Sequence, residues 1–85
     1  MPARRLNVLT RPDCELCEAL LEALVPYAAA GRIVVTAADL EDQALPIRER
    51  HQWRIPVVFE GDMELMWGRI DADEIARVLG PLPPA

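Results

Sequence analysis

The fold of this chain is decided by LNVLTRPDCELCEALLEALV, residues 6–25. Residues 6–10 form an apolar, strand-like run, Pro12 begins a turn, and the leucines after Cys17 recur at helical spacing. The segment therefore predicts a β-strand, a tight turn and an α-helix that starts near Cys14. Both cysteines of the chain lie at this junction.

The two cysteines form the pattern Cys14-Glu15-Leu16-Cys17, which spans one helical turn. At a helix N-terminus the free backbone N–H groups and the helix dipole favour an anion, so Cys14 gains thiolate character. Cys17 is then close enough to attack a mixed disulfide formed by Cys14. A CxxC between a strand and a helix is typical of a thiol–disulfide redox site.

Other roles for the cysteines stay open at this point. Two thiols also suit an inert apolar core or half of a zinc site, for which only His51 and carboxylates would supply the remaining ligands. A structural disulfide is disfavoured, because so short a loop restricts the unfolded chain little. Metal or iron–sulfur handling by two subunits that share their thiolates is a further alternative. The position of Cys14 at the start of the helix favours the redox site, and we expect no metal.

Length and charge exclude several classes of function. The 85 residues predict one domain, 1–85. Nine basic and fourteen acidic residues give a net charge of −5, without a basic patch interleaved with aromatic residues, so we expect no nucleic-acid partner. No apolar run approaches the ~20 residues that span a membrane, and the run behind Arg4 and Arg5 is too short for a signal peptide. We expect no membrane association, a cytoplasmic location in which a CxxC cycles, and a monomer.

Strand and helix patterns alternate along the rest of the chain. Pro26 is expected to end or kink the first helix near Val25, residues 28–30 suit a further turn, and Gly31 suits a helix C-terminus. Gly61 and Asp62 suit a hairpin turn, and Asp71 with Glu74 forms a capping box. The further predicted elements are a strand 32–36, a helix 43–52, strands 56–60 and 63–67, a helix 71–79 and an extended tail 80–85.

The predicted order is β-α-β-α-β-β-α, an α/β fold with one four-stranded mixed sheet and helices on both faces. The first two strands, joined through a helix, are expected to be parallel with a right-handed crossover, and the last two antiparallel. His51 is expected at the surface, with a catalytic base as the alternative. The predicted core and sheet-packing residues are Leu20, Leu21, Leu24, Met63, Met66 and Trp67.

This element order, with a CxxC at the start of the first helix, resembles glutaredoxin. It is most similar to the small bacterial glutaredoxin-like proteins of the thioredoxin superfamily, over about residues 5–80. The resemblance implies a thioredoxin-like fold and thiol–disulfide oxidoreductase activity, with Cys14 as the nucleophile and Cys17 as the resolving thiol. Three stretches carry it: TRPDCELC at 10–17, RIPVVF at 54–59 and WGRID at 67–71.

The resemblance also implies a substrate groove. Arg11, three positions before the first cysteine, is expected to bind a substrate carboxylate, and the Ile55–Pro56 bond is expected to be cis and to face the cysteines. Gly68 and Asp71 match the segment that holds the γ-glutamyl end of glutathione. The implied partners are a disulfide-bearing protein or a glutathione mixed disulfide, with glutathione or a reductase as the reductant and no bound cofactor.

The chain departs from the glutaredoxin pattern at three positions. Glu15 and Leu16 stand where glutaredoxins carry Pro-Tyr, and Trp67 replaces the first glycine of a Gly-Gly segment. Asp13, the expected helix cap, and Glu15 place negative charge beside Cys14 and disfavour its thiolate. We therefore expect the Cys14 thiol to be less acidic, and the Cys14–Cys17 disulfide to be more reducing, than those of the best glutaredoxin catalysts. A thioredoxin-fold binding or redox-sensing module without efficient turnover stays open as the alternative function.

Overall fold

The computed structural model describes residues 2–82, so the last three residues of the predicted extended tail lie outside the described part of the chain. Its elements follow the predicted order, with a short 3-10 turn added before the second helix. They are β1 Arg4–Thr10, α1 Glu15–Ala29, β2 Ile33–Asp39, the 3-10 turn Leu40–Asp42, α2 Leu45–His51, β3 Val57–Glu60, β4 Met63–Trp67 and α3 Ala72–Leu79.

The four strands form one mixed sheet in the order β2-β1-β3-β4. β1 pairs parallel with β2 and antiparallel with β3, and β3 pairs antiparallel with β4. Near the end of β1, Leu9 lies opposite Val57, the residue that follows Pro56. The segment leading to Cys14 and the segment containing Pro56 thus meet at one end of the sheet.

The helices divide between the two faces of the sheet, which confirms the predicted fold class. α1 and α3 cover one face and enclose the larger core, which includes Leu6, Val8, Leu20, Leu24, Val58, Met66 and Ile75. The other face carries a smaller cluster of Leu9, Leu40 and Val57. Here α2 packs through the His51 ring, which meets Phe59 edge to face at 5.5 Å between centroids.

The first helix does not stop at Val25: α1 continues through Pro26 to Ala29 with Ala30 as its C-cap, in agreement with the further turn expected over residues 28–30. Leu24 and Tyr27 are both buried in the core, and the Tyr27 hydroxyl donates a hydrogen bond to the Gly80 carbonyl at 3.1 Å. Burial on both sides of the exposed proline therefore offsets the one backbone hydrogen bond that proline cannot donate.

The predicted packing of the second hairpin strand is correct at only one position. Met66 is buried, whereas Met63 and Trp67 are exposed, at 65% and 51% of their surface. Met66 belongs to the larger core beneath α1 and α3, and because successive strand residues point to opposite faces, Trp67 points away from that core.

Candidate active site

Cys14 is the N-cap residue of α1. Its backbone is extended, with φ −108° and ψ 105°, and its Sγ accepts a hydrogen bond from the Cys17 N–H at 3.2 Å. The expected cap, Asp13, instead has φ 57°, in the left-handed region that aspartate tolerates better than most residues. Asp13 therefore makes the turn, and the cysteine side chain takes the capping position that the sequence suggested for the aspartate.

The two cysteines differ in their access to solvent. Cys14 is half-buried, whereas Cys17 is 3% exposed and packs at the start of α1. The sulfurs lie at disulfide distance, with 5.2 Å between the two Cα atoms. This confirms the expected placement of Cys14 at the helix start and nearer to solvent, as an outer thiol backed by an inner one.

The proline loop lies beside the strand that leads to the cysteines. The Ile55–Pro56 bond is cis, and Pro56 is fully buried. Gly68 donates its N–H to the carbonyls of Pro56, at 2.8 Å, and of Arg54, at 3.1 Å. Gly68 has φ 75°, a conformation that glycine adopts without strain. The Gly68 N–H thus holds the loop in place, and the contacts of Ile55 and Pro56 with a substrate stay predictions.

Arg11 connects the loop before Cys14 to the end of α2. Its Nη2 donates to the Gln52 carbonyl at 3.0 Å, while its buried Nε has no hydrogen-bond partner among residues 2–82. Arg11 also lines a cavity of about 210 Å³ together with Arg48 and Glu49. The structure therefore gives Arg11 a structural contact, and its binding of a substrate carboxylate stays a prediction.

Two tryptophans that sequence reasoning did not connect are exposed: Trp53, which precedes the proline loop in the sequence, and Trp67, which pairs with Val57 across β3 and β4. Trp53 is 85% exposed. The guanidinium of Arg54 lies 4.6 Å from the centroid of the Trp67 ring and forms an ion pair with Glu64, at 2.7 Å from Nη2 to Oε1. Trp53 lies outside every periodic segment, so the sequence held no packing signal that could identify it.

Asp71 begins α3. Its Oδ1 accepts a hydrogen bond from the Glu74 N–H at 2.8 Å, which confirms the capping role. One carboxylate oxygen is committed to the helix, and a substrate amine as a second partner of Asp71 stays a prediction.

His51 is 4% exposed, so its expected place at the surface is wrong. The ring packs against Phe59 because α2 lies directly on the smaller core. Burial lowers the pKa of His51 below its usual value; the positive charges of Arg54 and Arg50 add to this effect, and Glu64 opposes it.

Neither a metal cluster nor a membrane-spanning helix is found in the described chain. Residues 2–82 bring no group of three or more histidine, cysteine, aspartate or glutamate side chains together at a site that could hold a metal ion. Within the same residues, no helix has the length and apolarity needed to cross a membrane.

Comparison with known proteins places the chain in a sequence family. The model of the Glutaredoxin-like domain (DUF836) matches residues 5–80. The solved structure of the structural-genomics target protein XcR50 from X. campestris is similar, with 27% sequence identity and a TM-score of 0.66. The similarity covers 85% of this chain and 91% of that chain. No curated protein matches.

Proposed function

Because the chain belongs to the family of glutaredoxin-like domains, we propose that it is a thiol–disulfide oxidoreductase in which Cys14 attacks and Cys17 resolves. One observation carries this proposal. Cys14 caps α1 with its sulfur and is half-buried, and Cys17 lies behind it, 3% exposed and at disulfide distance. An accessible outer thiol and a protected inner thiol is the arrangement that sequential attack and resolution require.

The reaction transfers two electrons from the dithiol to a substrate disulfide. The Cys14 thiolate attacks one substrate sulfur, forms a mixed disulfide and releases the other substrate sulfur as a thiolate, which takes up a proton. Cys17 then loses its proton and attacks the Cys14 sulfur. The second substrate thiol leaves, and the Cys14–Cys17 disulfide remains. Glutathione or a reductase restores the dithiol by the reverse exchange.

The helix N-terminus and the neighbouring carboxylates act on Cys14 in opposite directions. The Cys17 N–H lies 3.2 Å from the Cys14 sulfur and stabilises a thiolate there. Asp13 and Glu15 are exposed on either side of it and destabilise the same charge. Because these effects oppose each other, the Cys14 thiol is less acidic than the helix N-terminus alone would make it. The Cys14–Cys17 disulfide is correspondingly more reducing.

The substrate side of the proposal uses the end of the sheet at which the cysteine and proline segments meet. Backbone groups of Ile55, next to Pro56, face the substrate, Arg11 takes a carboxylate, and Gly68 and Asp71 form the far end of the groove. The substrate is a disulfide-bearing protein or a glutathione mixed disulfide. The protein works as a monomer in the cytoplasm, where reductants keep the dithiol available.

A second candidate function is a binding module that holds a peptide with the same surface and does not turn over. The exposure of Trp53 and Trp67 beside the proline segment favours it, because tryptophan is enriched among the residues that dominate protein interfaces.

Turnover and reduction potential decide between the two candidates. The reduced protein is assayed on a glutathionylated peptide and on a protein disulfide, and its potential is measured in glutathione redox buffers. Reduction of either substrate, lost in Cys14→Ser, supports the oxidoreductase. Failure on both substrates, with Cys14 still open to alkylation, rejects it in favour of the binding module.

A further inference from the structure

A cavity of about 500 Å³ lies on the sheet face that α2 covers. Leu9 and Phe59 contribute to it from the strands, and Pro46 and Ile47 from the helix. Its volume lies within the range of small-molecule sites. None of the residues assigned to the redox site lines it, so the proposed oxidoreductase function leaves this cavity unexplained.

The rim of this cavity carries one charge of each sign. Arg50 and Asp62 both line it and are exposed. Within residues 2–82 neither forms an ion pair, whereas Arg4 pairs with Glu60 and Arg54 with Glu64. Set around apolar side chains, a cation and an anion that form no ion pair within residues 2–82 complement a ligand that bears both charges.

His51 forms part of the inner wall of the cavity. His51 lines the cavity and is 4% exposed, and its buried Nδ1 has no hydrogen-bond partner in the described chain. The Nδ1 atom is itself closed off from solvent, so the His51 side chain offers the cavity no accessible Nδ1. A ligand in the cavity therefore makes its polar contacts at the rim, with Arg50 and Asp62.

We propose that this cavity binds a small zwitterion with an apolar side chain, the class of the free aromatic or branched amino acids. Arg50 takes the carboxylate and Asp62 takes the ammonium group. The apolar side chain lies against Leu9 and Phe59. An acid without the amine would face the uncompensated carboxylate of Asp62, and an amine without the acid would face Arg50, so both are discriminated against. Binding here involves no electron transfer and does not depend on the proposed function.

The test is a titration of the full-length, ¹⁵N-labelled protein with L-phenylalanine, followed by amide and imidazole chemical shifts. We expect saturable shifts at Asn7, His51 and Phe59. Phenylacetate, which lacks the ammonium group, and 2-phenylethylamine, which lacks the carboxylate, are expected to bind at least about tenfold more weakly. Equal binding of either analogue would overturn the zwitterion class, and the absence of saturable shifts up to the solubility limit would overturn the site.

Matched variants assign the two charges. Arg50→Ala and Asp62→Asn change exposed side chains and are each expected to weaken L-phenylalanine binding by about tenfold or more. Arg48→Ala is the control, because Arg48 belongs to the same helix but lines the smaller cavity near Arg11. An effect of Arg48→Ala as large as that of Arg50→Ala contradicts the assignment. The double variant Cys14→Ser with Cys17→Ser is expected to bind normally, which separates this proposal from the redox function.

Discussion

The sulfur of Cys14 accepts a hydrogen bond from the backbone N–H of Cys17 at 3.2 Å, so the proposed nucleophile is also the N-cap of α1. The same side chain therefore starts the helix and receives the electrostatic benefit of its N-terminus. One substitution at Cys14 can therefore remove the nucleophile and keep the helix cap, while another removes both. Comparing the two variants separates the effect on activity from the effect on stability.

Cys14→Ser is expected to abolish disulfide reduction while keeping the stability of the reduced protein, because serine is a strong N-cap residue. Cys14→Ala is expected to be equally inactive and about 1 kcal/mol less stable, since alanine offers the Cys17 N–H no acceptor. Turnover and urea unfolding under reducing conditions measure the two properties. Residual reduction by Cys14→Ser would show that another group is the nucleophile.

Cys17→Ser is expected to accumulate mixed disulfides between Cys14 and the substrate, because the first attack survives and resolution is lost. Mass spectrometry after mixing with a glutathionylated peptide detects the added mass. Cys17→Ala is the control for placing a hydroxyl at a position that is 3% exposed, and it should trap the same species. Undiminished release of product by both variants would contradict the resolving role of Cys17.

Asp13→Asn with Glu15→Gln is expected to lower the pKa of Cys14, because two carboxylates no longer oppose the thiolate. The same change should raise the reduction potential, because it favours the dithiol form over the disulfide. Asparagine suits the left-handed conformation at position 13, where φ is 57°, so the turn is preserved. The pH dependence of Cys14 alkylation measures the pKa. An unchanged or higher pKa of Cys14 in the double variant would show that Asp13 and Glu15 do not set the acidity of this thiol.

The parts of the fold that the sequence predicted depend on local signals. The hairpin turn at Gly61 and the Asp71 cap act within a few residues, and both were confirmed. The burial of His51 depends on side chains distant in the sequence, such as Phe59, which no local pattern contains. The cap at Cys14 was missed because aspartate is ordinarily the better capping residue, and the turn needed Asp13 for its backbone conformation instead.

Pro26→Ala is expected to raise the free energy of unfolding by about 1–2 kcal/mol, because alanine restores a backbone donor inside α1 and the site is exposed. Pro46→Ala is the matched control. Pro46 lies in the first turn of α2, where the missing N–H has no helical acceptor, so the change is expected to be neutral or slightly destabilising. Urea unfolding compares the two variants. Equal changes in the free energy of unfolding would mean that the position of a proline within its helix does not determine how much it destabilises the protein.

The stability of the protein is expected to fall on mild acidification through His51. Burial holds the pKa of the folded imidazole below its usual 6.5, so the unfolded chain takes up this proton first as the pH falls. The contribution of the neutral His51 ring to the free energy of unfolding is fully present above pH 6.5. It is lost as the pH falls through the pKa of the folded protein. Glu60 does not titrate in this pH range, because its hydrogen bond to Arg4 lowers the pKa of its carboxyl below 4.5. Urea unfolding from about pH 8 to about pH 5 should show the loss in the wild type. His51→Gln, which cannot titrate, should show a smaller slope, and the same slope in both proteins would mean that other groups set the pH dependence.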